Sequence, residues 1–160
     1  MSKQAQKWEL DADEDLRTPK HDEIMLWLDK HAATVIKAVT GIETGIWELT
    51  WEYPITEAKY YQGIKSQYMI GFADMYVVTK DRLNNNGCRI VFFEVKSVIP
   101  SPGELIRQVN RYRTYIEANP HTAEHIFVVV SPDARYADVL KSQGIEFYHC
   151  QVDAYEEAMK

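Results

Sequence analysis

Two acidic side chains interrupt strongly apolar stretches of this 160-residue chain. One is Asp74, in Gly71-Phe72-Ala73-Asp74-Met75-Tyr76-Val77-Val78; the other is Glu94, in Val91-Phe92-Phe93-Glu94-Val95-Lys96. A charge buried in such a strand is expensive unless something compensates it. Side chains alternate along a strand, so Glu94 and Lys96 share one face while Val95 points to the other. The residues between the two stretches, Asp81-Arg82-Leu83-Asn84-Asn85-Asn86-Gly87, are dense in turn formers and predict a β-hairpin. A hairpin symmetric about Asn84 sets Asp74 opposite Glu94, with Cβ atoms roughly 5 Å apart, a repulsive arrangement for like charges. A divalent cation is the economical neutraliser. Magnesium binds hard oxygen ligands, typically one or two carboxylates completed by waters and phosphate oxygens, and these residues offer that set. Taken singly, each feature has a plainer explanation, a surface Glu–Lys ion pair or an Asp near a strand end. The conjunction inside two apolar strands points to a site.

The elements that must position these residues follow from periodicity. Thr18-Pro19 with Asp22 predicts a helix start, and Ile24, Trp27, Leu28, His31 and Val35 recur at helical spacing. Ile46 to Tyr53 alternates bulky apolar with polar residues as a half-buried strand does, with Pro54 as its expected end. Residues 56–67 carry no clear pattern, and a strand apolar on both faces is expected over Tyr68–Val78. The strand Arg89–Lys96 follows the turn. Ser101-Pro102-Gly103-Glu104 opens a second helix, with Leu105, Val109, Tyr112 and Ile116 on one stripe and an end near Asn119-Pro120. A strand over His125–Val130, a helix over Pro132–Gln143 closed by Gly144, and a strand over Ile145–Cys150 complete the order αβββαβαβ. Strands apolar on both faces require helices on both sides, so the expected class is α/β with a central mixed sheet.

Composition limits the function classes. A chain of this length supports one compact domain with a real core. Residues 18–160 are read as that single domain, preceded by an acidic arm, 1–17, in which loose order is expected. No apolar run approaches membrane-spanning length, and the N-terminus lacks the basic-then-apolar order of a leader, so a cytoplasmic location is expected, with no membrane partner. Cys88 and Cys150 make neither a disulfide framework nor a Cys-rich zinc site. His21, His121, His125 and His149 show no metal-ligand spacing, and His31 belongs to the first helix's apolar face. No phosphate-cradling glycine loop and no nucleophile elbow is present, and no organic cofactor is expected. Taken as a sum, the formal charge of -6 opposes a polyanionic partner, yet residues 80–113 hold seven Lys or Arg against three Asp or Glu, a local +4 that leaves -10 elsewhere. Phosphate binding depends on such local positive charge. Arg107 and Arg111 on the polar flank of the second helix, together with Arg82, are the candidate nucleic-acid contacts.

Taken together, the motifs resemble the PD-(D/E)xK nuclease superfamily, whose restriction-endonuclease-like fold shares the helix, three strands, helix and strand of residues 20–130. Gly71-Phe72-Ala73-Asp74 is similar to the family's second motif, with Ala73 where proline often stands, and Glu94-Val95-Lys96 matches the third. Gln108 and Tyr112 match the Gln-x-x-x-Tyr pattern of the RecB and lambda-exonuclease-like branch. The resemblance implies that Asp74 and Glu94 bind Mg2+, with Mn2+ as a substitute, and that the Val95 carbonyl is a third ligand. It implies that Lys96 orients the attacking water and offsets charge in the transition state, as phosphodiester hydrolysis requires. It also implies an acid from the first helix near the metal, for which Glu23 is the candidate, although an acid in a first helical turn is favoured in any case. Gln108 borders the apolar stripe and can reach the site; Tyr112 serves either the site or the core.

The expectation is therefore a Mg2+-dependent deoxyribonuclease acting on DNA. A homodimeric junction resolvase of similar size and a phage or mobile-element exonuclease both fit, with roles in DNA repair or recombination. The alternative is a catalytically silent protein of the same fold that binds DNA or protein.

Overall fold

The computed structural model describes residues 19–83, 87–117 and 124–151. The acidic arm expected over residues 1–17 lies outside them. Helix α1 (Pro19–Thr40) is followed by β1 (Ile46–Tyr61), β2 (Ile64–Leu83) and β3 (Gly87–Val95); then come α2 (Pro102–Glu117), β4 (Glu124–Ser131), α3 (Ala137–Ser142) and β5 (Glu146–His149). The five strands form one sheet in chain order. β1, β2 and β3 are antiparallel neighbours, whereas β3, β4 and β5 run parallel and are joined through α2 and α3. The architecture is thus an α/β mixed sheet flanked by helices, in the expected order. No helix among the described residues is long and apolar enough to cross a membrane.

Each face of the sheet has its own core. On one side Ile24, Leu28, Val35 and Ile36 of α1 pack against Met75, Val77, Val91, Phe93 and Val95. On the other, Leu105, Val109 and Tyr112 of α2 and Leu140 of α3 pack against Phe92, Phe127 and Val129. Strands enclosed this way must be apolar on both sides, which is why β3 and β4 read as continuous hydrophobic runs.

The first hairpin departs from expectation. β1 does not stop at Pro54, which pairs with Phe72, and the unpatterned segment is the distal part of a long β1–β2 ribbon. Proline is tolerated because β1 is an edge strand, whose outward N–H has no ladder partner to lose. The pattern is missing because residues 58–69 are exposed on both faces, so no core imposes alternation there. Gln62 and Gly63 close the ribbon with φ of 50° and 79°, the left-handed pair of a two-residue turn matched to strand twist. Helix α3 is shorter than expected. Residues 132–136 form turns instead, because Asp133 and Ser131 take up local backbone N–H groups with their side chains.

Candidate active site

Strands β2 and β3 pair Met75 with Phe93, Tyr76 with Phe92, Val77 with Val91 and Val78 with Ile90. One step further, this register brings Asp74 level with Glu94. At the loop end the pairing is Arg82 with Cys88 and Leu83 with Gly87, so the turn is centred one residue later than a symmetric loop about Asn84. An irregularity between Val78 and Arg82 takes up the difference, and the expected register is restored before the acids are reached.

The β2–β3 ladder passes into side-chain contact at Asp74. The Val95 N–H donates to Asp74 Oδ2 at 2.7 Å, so the carboxylate takes the place of a backbone acceptor. β1 is irregular at the same level. Glu52 lies between the pairs Trp51–Met75 and Tyr53–Ala73 and has a left-handed φ of 52°. Ala73 belongs to the α2-side core and Met75 to the α1-side core, which leaves Asp74 between the two layers. Asp74 and Glu94 are 6% and 4% exposed, so both acids are inside the protein.

The α1 residue at this point is His21. It is 3% exposed, and its Nε2 lies 3.6 Å from Asp74 Oδ1, an ion pair when the imidazole is protonated. Sequence reasoning favours Glu23 for this place, but Glu23 is exposed. A signal for His21 is available: positions 21, 24, 25, 28, 32 and 35 form the helix's buried stripe, and His21 continues it whereas Glu23 does not.

Tyr112 approaches the acids from α2. Its phenol accepts a hydrogen bond from Gln108 Nε2 at 3.0 Å. Burial pushes the phenol above its ordinary pKa, and the negative charges of Glu94 and Asp74 push it the same way. Gly71 makes room for the ring, because a Cβ there would overlap the phenol oxygen and lie 2.9 Å from two ring carbons. Gln108 and Tyr112 are therefore joined to each other and to Gly71 of β2.

Lys96 directly follows β3 and is half-buried, and its N–H donates to the Val130 carbonyl at 3.0 Å. The loop after it is held by Asp133, which accepts the Ile99 N–H at 2.9 Å and pairs with Arg135 at 2.8 Å. Arg107 and Arg111 are exposed on α2. The side chain of Arg82 lies outside the described residues. Two other basic residues of the positive segment have structural tasks: Arg89 pairs with Glu124 at 3.1 Å, and Arg113 donates to the Gln143 and Gly144 carbonyls.

Among the described residues, no three His, Cys, Asp or Glu side chains gather into a metal-holding group on their own. The site offers two buried carboxylates, a buried imidazole, a phenol held by an amide, and a neighbouring lysine.

No protein-family description matches the chain, and no curated protein sequence does. Among solved structures, a repair endonuclease from Pyrococcus abyssi is similar over 76% of this chain, at 20% identity and a TM-score of 0.39. The match takes in 46% of that protein, so this chain spans less than half of its length.

Proposed function

We propose that this chain is a metal-dependent nuclease that hydrolyses DNA phosphodiester bonds at Asp74 and Glu94. One observation carries the reading: two carboxylates lie buried one step beyond the Met75–Phe93 pair, next to the strand end that leads into Lys96. Burying two acids side by side costs folding free energy, and a hard cation offsets that cost while giving the acids a use.

The donor set fits Mg2+ or Mn2+. Asp74 and Glu94 supply carboxylate oxygens, the Val95 carbonyl is the third protein oxygen in line, and His21 steers Asp74. With so few side-chain donors, water and substrate oxygens complete the shell. When bound, the ion supplies Lewis acidity and a lowered pKa for water. Lys96 orients the attacking water and offsets the charge that grows on the phosphate oxygens. Tyr112, kept protonated by burial and by the acids, presents an O–H toward the same region, and Gln108 fixes its ring. Arg107, Arg111 and Arg82 meet the flanking phosphates, which positions the substrate without reading its sequence.

A second reading, a catalytically silent binding module, is favoured by the net charge of -6, which opposes a polyanionic substrate. Incubating plasmid and single-stranded DNA with the protein and Mg2+ or Mn2+ separates the two. Cleavage by the wild type that is lost in Glu94→Gln and Lys96→Ala supports the nuclease. Intact DNA with the wild type, or equal cutting by the variants, defeats it.

A further inference from the structure

The distal β1–β2 ribbon carries surface that neither core uses. Tyr60 and Tyr61 are 70% and 76% exposed, and Ile64, Tyr68 and Met69 are each more than half exposed. Rings set out in water gain no core burial, and a two-stranded ribbon is marginal by itself. Side chains alternate along each strand, so Tyr61, Tyr68 and Lys59 share one face of the ribbon while Tyr60 and Lys65 are on the other. Exposed rings sharing a face in this way mark a contact surface. Their chemistry narrows the partner. The exposed set is dominated by three phenols and two ammonium groups, Lys59 and Lys65, with Ala58, Ile64 and Met69 as its other apolar members. Lys59 Nζ sits 5.3 Å over the Tyr68 ring and 3.8 Å from Glu57, the arm's single acid. Lys65 pairs across the ribbon with Tyr60. The arm from Thr56 to Met69 therefore has a net charge of +1 in a chain of -6, so it has the sign a polyanion needs.

We propose that one face of this arm is a stacking platform for a single nucleic-acid strand, with Tyr61 and Tyr68 under bases and Lys59 on phosphates. Aromatic faces interleaved with cations bind single strands without regard to sequence, because every base has a π-face. Continuity with the site supports this partner. Tyr68 and Asp74 lie on the same strand, six residues apart and so about 20 Å along it, and a nucleic-acid strand seated on the arm leads to the buried acids. The assignment rests on the nuclease reading and names the substrate form that the site would receive.

The test uses the full chain with Glu94→Gln to prevent cutting, and fluorescence anisotropy with a labelled oligothymidylate and a duplex of equal length. Replacing Tyr61 and Tyr68 together by Ser is expected to weaken single-strand binding about tenfold or more, with melting temperature and duplex binding little changed. Replacing Lys59 by Gln is expected to flatten the salt dependence of single-strand binding, by about 0.7 for each phosphate no longer neutralised. Unchanged single-strand affinity in both variants overturns the proposal, as does no single-strand binding by the parent. Sedimentation showing a dimer that the tyrosine substitutions dissociate also overturns it, by assigning the face to a second copy of the chain. DNA cutting by the unsubstituted chain is measured in parallel. Cutting together with arm variants that bind like the parent ends the arm proposal alone; arm-dependent binding without cutting ends the nuclease reading alone.

Discussion

Asp74 shows how one side chain changes an electrostatic argument. Facing carboxylates taken alone imply that neutralising Asp74 relieves repulsion and stabilises the fold. The structure gives Asp74 two compensating contacts, the Val95 amide and the His21 ring. Removing the acceptor leaves a buried N–H unsatisfied, which costs about 1–3 kcal/mol. Asp74→Ala is therefore expected to lose about that much stability in urea unfolding, while Asp74→Asn, which keeps an acceptor oxygen, loses less. Equal stability of wild type and Asp74→Ala would show that the Val95 amide does not depend on this carboxylate. Gly71 is constrained from another direction. The space taken by the Tyr112 phenol leaves no room for a methyl group, so Gly71→Ala overpacks the contact and is expected to cost about 1–3 kcal/mol. A melting temperature at the wild-type value would mean that the ring moves aside freely.

Among the elements, the connection from β3 into α2 has the clearest anchor. The Arg135 guanidinium, the Ile99 amide and the Arg135 amide all donate to Asp133, and they hold its carboxyl well below the usual carboxylate range. A carboxylate with a folded pKa below its unfolded value of about 3.9 contributes stability that is complete above that pH and is lost as the pH falls below it. Asp133→Asn should therefore be less stable than wild type at neutral pH and lose less on acidification below about pH 4. Parallel acid-unfolding curves for the two proteins would contradict this assignment. Because this loop follows Lys96, the same substitution reports on how firmly the lysine is held.

For the molecule as a whole, ligand linkage offers a test independent of turnover. An ion that binds only the folded state at a hundred times its dissociation constant stabilises by about 2.7 kcal/mol, or roughly 5–10 °C in a domain of this size. Mn2+ is expected to raise the melting temperature of the wild type by that order and to leave Glu94→Gln unchanged. Equal shifts in both proteins would move the ion elsewhere. The charge distribution belongs to this scale as well. Arg89 and Arg113 are committed to Glu124 and to the carbonyls before β5, so the +4 of residues 80–113 overstates the charge available to a phosphate chain. Arg107 and Arg111 remain exposed on α2 for that task.

Sequence was enough for the order of elements and the mixed α/β class. Both follow from short-range causes: hydrophobic period, turn chemistry and the two-residue alternation of a strand. The level of Asp74 with Glu94 agrees with a loop symmetric about Asn84 only because the irregularity between Val78 and Arg82 offsets a turn centred one residue later. The distal ribbon is not legible in the sequence, because with both faces in water no burial imprinted a pattern on residues 58–69. The extent of β1 at Pro54 is misleading in sequence, since a proline ends a strand only where its N–H is needed, and edge position is a property of the assembled sheet. His21 emerged only once the fold was assembled, although its place on the buried stripe of α1 was visible. Which stripe residue meets Asp74 depends on how α1 lies across β2 and β3, and that is set by the packing of Ile24, Leu28 and Val35 against the sheet.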